Sequence, residues 1–195
     1  MKPGWLTRAV FALSLVAAVA AASAVQVNVC YGYGCAISAA VEFTDADISG
    51  LRELMALATD AAEERAMLAV AVTRMYSIAG RQTPIWRDRG RNVPDERDNE
   101  GAMDCIDHST NTDRFLNLLA DAGALNLHRP GERRRRFEFL VFAEHWAATI
   151  VERESGARYA VDSWFFDPGM PAVIVPLARW RSGYDPDSPE LVGGP

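Results

Sequence analysis

The chain has almost no lysine. Lys2 is the only one in 195 residues, so its positive charge is otherwise carried by arginine. Acids outnumber bases 26 to 20, for a formal net charge of −6, and binding a polyanion needs a basic face, so a nucleic-acid partner is disfavoured. The one dense basic run, the four arginines at 133–136, is diluted by Glu132 and Glu138 and reads as a solvated loop face. Cysteine is also scarce. Cys30, Cys35 and Cys105 are the only three, none at C-x-x-C spacing, and no His-Glu-x-x-His occurs, so the common zinc patterns are missing. The acids Asp95, Glu96, Asp98 and Glu100 lack the ordered spacing of a calcium loop. No internal repeat or linker divides the chain, and neither a metal nor any other cofactor is expected.

What is present is an ordinary globular composition, 49% hydrophobic and 24% charged, enough for one domain with a real core. Lys2 and Arg8 precede an apolar run over 9–22 that ends in Ala22-Ser23-Ala24. A basic n-region, a short h-region and an Ala-x-Ala end predict a secretory signal peptide over 1–24, cleaved after Ala24. The alternative is retention as an N-terminal anchor. Cleavage places the mature chain, residues 25–182 with a flexible tail at 183–195, in the periplasm or outside the cell, with no stable membrane insertion. In an oxidising compartment Cys30 and Cys35, separated by Tyr31-Gly32-Tyr33-Gly34, are expected to close a small disulfide and leave Cys105 unpaired. Reduced thiols or metal ligation are the alternative for that pair.

Two helices are predicted early. The first runs over 44–57, with Thr44 or Asp45 as cap and an apolar face of Ile48, Leu51, Leu54, Met55 and Leu57. The second runs over 60–79, with Met67, Leu68, Ala71, Val72, Met75 and Ile78 as core and Gly80 as its stop. Residues 81–103 then lose periodicity, and a loop of that length commonly carries function, so it forms a candidate cleft wall with Trp86 as a substrate contact or, equally, an inward-packed side chain. A third helix follows: Ile106, Phe115, Leu118, Leu119 and Ala122 recur at three-to-four spacing, Asp104 suits the N-cap and Gly123 the left-handed position past the end. Cys105 falls in its first turn, where free N–H groups and the helix dipole favour a thiolate. Strands are predicted over 137–142, 146–152, 157–164 and 172–175.

The order of reactive residues is Cys105, then His145, then Asp162, with a turn at 153–156 that sets the last two on neighbouring strands. Nucleophile, base and an acid that holds the base in the right tautomer are the parts a thiol enzyme needs. His108, one turn along from Cys105, is a rival base and more naturally a supporting or structural residue. A zinc hydrolase using Cys105, His108 and His145 is a second reading.

These motifs give the chain a family resemblance. Cys105-Ile106-Asp107 followed by a leucine-rich helix ending in Ala122-Gly123, His145-Trp146 opening a strand, and Val161-Asp162 on the next resemble the transglutaminase-like cysteine enzymes, in particular the bacterial transglutaminase-like cysteine proteinases. The similarity covers about residues 60–165. The chain departs from the family pattern at Met103, where the family usually has glycine, and at Ser163, where it usually has proline or asparagine. The resemblance implies an α+β fold with a papain-like core, N-terminal helices packed on an antiparallel sheet. It implies a Cys105-His145-Asp162 triad attacking an amide or peptide bond of a cell-envelope protein or peptide, with Trp86, His108 and Trp146 as substrate contacts. A non-catalytic exported binding or scaffold module on the same fold is the alternative.

Overall fold

The computed structural model describes residues 24–92, 99–138 and 143–187. The predicted signal segment before Ala24, the loop acids Asp95, Glu96 and Asp98, most of the strand predicted over 137–142, and the tail beyond 187 lie outside these residues. The chain opens with a hairpin, β1 (Ala24–Tyr31) and β2 (Ile37–Thr44), followed by α1 (Asp45–Met55) and α2 (Ala61–Gly80). A single 3-10 turn at Pro84–Arg87 leads through the loop to α3 (Cys105–Asp121). Then come β3 (His128–Glu138), β4 (Ala143–Glu152), β5 (Arg158–Asp162), β6 (Val173–Pro176) and a short α4 (Leu177–Arg181). The last four strands form one antiparallel sheet in chain order, with β3 and β6 at its edges. The fold is therefore α+β with antiparallel sheets, as the helix-then-strand order predicts.

The helices start where the caps place them. Thr44 Oγ1 accepts the Asp47 N–H and the Asp47 carboxylate accepts the Thr44 N–H, a reciprocal cap at α1. Asp60 accepts the Glu63 N–H at α2, and Gly123 ends α3 at φ 68°, a conformation that glycine adopts without steric cost. Helix α3 is central: its Phe115, Leu116 and Leu119 meet Val29, Val41 and Phe43 of the hairpin, Leu68 and Met75 of α2, and Ala148, Ile150 and Val161 of the large sheet. The opposite face of that sheet carries a smaller cluster, Ala147 and Ala160 under Leu177 and Trp180 of α4. Alternation along β4 and β5 thus sends odd and even positions to different cores.

Three features differ from the sequence expectations. The arginines at 133–136 are not a loop but the second half of β3, which begins at His128 rather than near Phe137. The strand tolerates them because each guanidinium is met: Arg134 by Glu132, Arg135 by Glu144, Arg133 by Thr110 Oγ1, and Arg136 by the carbonyls of Trp180 and Tyr184. The hairpin was legible only as a tight loop, and α4 was missed because five residues give no period to read. Beyond α4, Asp185 and Asp187 pair with Arg91 and so tie the chain after α4 to the loop that precedes α3.

That loop is pinned by close backbone approach. A Cβ on Gly101 would lie 1.9 Å from the Pro84 carbonyl oxygen, so no side chain fits where the chain turns into α3. Gly101→Ala is expected to destabilise the protein by about 1–3 kcal/mol through overpacking. That is a fall in Tm of about 2–4 °C per kcal/mol at this size, measured by thermal unfolding. A Tm equal to wild type would show that the 84–101 contact is not held.

Candidate active site

The first turn of α3 is built from carboxylates. Asp104 Oδ1 accepts the Ile106 and Asp107 N–H groups, while the Asp107 carboxylate accepts the Asp104 N–H. The same two acids reach outside the helix: Asp104 accepts the Gly34 N–H at 2.9 Å and Asp107 the Cys35 N–H at 2.7 Å. Those donors lie in the loop that the Cys30–Cys35 disulfide closes, so the expected pairing is formed and Cys105 is the free thiol. From Gly32 to Cys35 the loop runs through four consecutive positive φ values, 83°, 65°, 65° and 59°, an arrangement that needs the bridge and the two acids to hold it. Asn111, buried one and a half turns further along α3, clamps the Cys30 backbone at both N–H and C=O. The sulfurs of the pair and an Asp107 oxygen lie within 4.8 Å of one another, but bridged sulfurs offer no thiolate to a metal.

Cys105 meets the strand that carries His145. Its thiol donates to the Glu144 carbonyl at 3.6 Å, and the Trp146 N–H points at the sulfur. Those two backbone groups face the same edge of β4. The ladder to β5 begins only at Ala148, so this edge is open beside His145 and the sulfur occupies it. On the sheet face beneath α4, His145 Nε2 and Asp162 Oδ2 are 2.7 Å apart, both side chains buried. Trp180 donates its indole N–H to the same oxygen at 2.8 Å, and the Trp164 backbone N–H donates to Oδ1 at 3.1 Å. The His145 ring lies against Trp164 (4.5 Å between centroids), Trp180 (5.6 Å) and Phe165 (5.7 Å). With Nε2–H given to Asp162, its Nδ1 carries the lone pair.

The electrostatics of the thiol differ from the expectation. Burial, followed by the charges of Asp104 and Asp162, pushes Cys105 from its ordinary 9.0 up to about 11, against the pull of the Trp146 N–H and its own N–H. Even one unit of that rise is about 1.4 kcal/mol. The helix terminus supplies only about 0.3–1 kcal/mol. The resting group near neutral pH is therefore a thiol.

The other sequence candidates are dispersed. Trp146 is half-buried, adjoins the sulfur through its backbone and has the Arg133 guanidinium 5.7 Å from its ring. Trp86 is 62% exposed and stands between two grooves of about 430 and 370 Å³ that share Pro168, neither lined by Cys105, His145 or Asp162. His108 cannot touch a substrate or a zinc ion: it is 1% exposed, with Nε2 on Asp88 at 2.9 Å and Nδ1 on Ser163 at 3.1 Å. Sequence reasoning missed Asp88, Trp164 and Trp180. Trp164, two residues past Asp162, was the one with a readable signal. No protein family, curated protein or solved structure matches the chain.

The capping acids generate a pH prediction. Burial raises Asp107 from its ordinary 3.8 to about 6. A carboxyl raised by folding holds its proton more tightly in the folded chain. Its contribution therefore favours folding fully below about pH 4 and is lost as the pH rises through 6. Urea unfolding at pH 4.5 and 7.5 is expected to show the wild type losing more stability across that interval than Asp107→Asn, which carries no titrating group there. Equal losses would place Asp107's ionisation outside the interval.

Proposed function

We propose that the chain is an exported, transglutaminase-like cysteine enzyme that opens an amide or peptide bond through a thioester on Cys105. One observation carries the reading: the buried pair of His145 and Asp162, 2.7 Å apart, has its histidine on the strand whose open edge holds the only free thiol. In this scheme His145 Nδ1 takes the thiol proton as sulfur attacks the carbonyl carbon, and Asp162 stabilises the imidazolium. The Cys105 N–H is a natural oxyanion donor, because the Asp104 carboxylate engages the next two N–H groups of α3 rather than this one. His145 then returns its proton to the leaving amine as the C–N bond breaks. Water or a second amine attacks the thioester, giving up a proton through His145 so that the thiol is restored. Hydrolysis makes it a peptidase or amidase, and attack by an amine makes it an acyltransferase.

Export is part of the same proposal. It is supported by the Cys30–Cys35 disulfide and by the basic-then-apolar segment at 1–24. Among the described residues no helix is long and apolar enough to cross a membrane. The substrate is then a cell-envelope protein or peptide. The raised Cys105 pKa is the observation that favours the alternative, a non-catalytic binding or scaffold module on this fold.

The rate of iodoacetamide modification of Cys105 against pH separates the two. Wild type is expected to react near neutral pH through His145. His145→Ala should retain only a limb that rises toward about pH 11, and Asp162→Asn should fall between them with its midpoint raised. Three superimposed curves would leave Cys105 a bystander and select the binding module.

A further inference from the structure

Beneath the Asp162 face lies a second buried polar chain that the scheme above does not use. Asp88 Oδ2 meets His108 Nε2 at 2.9 Å, and His108 Nδ1 meets Ser163 Oγ at 3.1 Å. The Ser163 hydroxyl is also 3.1 Å from Tyr76 Oη and 2.9 Å from Thr112 Oγ1. Asp88 and His108 are each no more than 2% exposed. With Asp88 ionised, His108 donates Nε2–H to it and Nδ1 accepts from Ser163, while Tyr76 donates to the His108 carbonyl at 3.1 Å. Each hydroxyl proton then has an acceptor, with Thr112 Oγ1 donating to Ser163 Oγ, and no buried side chain of the network is left without a partner.

Its position matters more than its satisfaction. His108 is one turn along α3 from Cys105. Asp88 Oδ1 accepts the Met103 N–H at 2.7 Å, two residues before Cys105. Ser163 follows Asp162 directly, and alternation at the end of β5 sends the two side chains to opposite faces, Asp162 to His145 and Ser163 to His108. The helix that carries the nucleophile and the strand end that carries the acid are thus joined by one three-residue chain. We propose that Asp88, His108 and Ser163 are positioning residues that set Cys105 against the His145–Asp162 pair. This inference rests on the triad reading above.

The chain acts by geometry. Releasing Ser163 frees the peptide that aims the Asp162 carboxylate, and releasing Asp88 frees the segment entering α3. Proton transfer from Cys105 to His145 weakens steeply with misalignment, and a displacement of about 1 Å costs up to about 100-fold in rate. An ordinary polar core would cost stability alone.

The test is iodoacetamide modification of Cys105 against pH for wild type, Ser163→Ala, Asp88→Asn and His145→Ala, each with its Tm. His128→Gln serves as the structural control, since His128 is buried at the far end of β3 against Glu64 and Arg65 and touches none of these residues. Ser163→Ala removes a single hydroxyl. Asp88→Asn keeps the shape and reverses the proton it shares with His108, and the Tm of each variant reports whether it is folded. Both are expected to slow modification near pH 7.5 by about 3-fold to 30-fold, within the range misplacement allows, and to shrink the limb that His145→Ala abolishes. His128→Gln should lower Tm without moving the curve. If Ser163→Ala and Asp88→Asn follow the wild-type curve while His145→Ala does not, the positioning role is wrong and the triad stands. If all variants slow in proportion to lost Tm, the control included, the network is only structural and the proposal is overturned. If His145→Ala itself matches wild type, the triad reading fails and takes this inference with it.

Discussion

Everything at this site depends on how the first turn of α3 meets its unpaired N–H groups. A helix leaves four such donors at its start, and a buried start must find acceptors for them. Here two carboxylates supply the acceptors, and because each has lone pairs to spare they also capture the Gly34 and Cys35 N–H groups of the disulfide loop. The backbone around Cys105 is therefore fixed from both sides, by its own helix and by a hairpin loop about 70 residues earlier. The disulfide contributes by holding four left-handed residues in a row, a shape that the free chain would leave. Capping, bridging and placement of Cys105 are one structure rather than three.

The second constraint is the desolvation of the His145–Asp162 pair. A carboxylate removed from water must have its lone pairs engaged, and Asp162 receives the His145 ring N–H, the Trp180 indole N–H and the Trp164 backbone N–H. Three aromatic rings then exclude water around His145. Asp162 is an obligatory part of that arrangement: without it, the indole and imidazole donors would both be stranded. The short α4 exists at this point of the chain to bring Trp180 over the sheet, and Arg136, 4.9 Å from the Trp180 ring and bonded to its carbonyl, fastens α4 to β3.

What could be read from sequence was whatever is encoded locally. Thr44, Asp60 and Asp104 announce their helices through side-chain to backbone bonds within three residues, and the Cys30–Cys35 pair follows from spacing and surplus. His145 and Asp162 fall on adjacent strands because the 153–156 turn is short. What could not be read is encoded at a distance. The arginines of β3 look like a loop until Glu132, Glu144, Thr110 and the Trp180 carbonyl are in place to receive them. The hairpin's alternation in Val25, Val27 and Val29 was present in the sequence but is interrupted at once by the glycine-rich loop. His108 was visible as a titratable residue near the thiol. Only its partners, 20 and 55 residues away, show that it faces inward.

The burial that assembles this site also sets the resting state of its sulfur. Low polarity around His145 and Asp162 strengthens their mutual attraction, but it penalises a lone thiolate next door, and the Asp162 and Asp104 charges add to that penalty. The thiolate is the form that oxidants and disulfides attack. A free cysteine held as thiol is therefore protected in the oxidising compartment to which the proposed export would carry it. In the proposed scheme activation coincides with the arrival of an acyl group, when the proton moves to His145 and the negative charge passes from sulfur to an oxygen within reach of the Cys105 N–H. An acidic setting that would handicap a standing thiolate is compatible with a nucleophile made only at the moment of attack, and on that view the raised pKa and the triad geometry are two results of one buried pair.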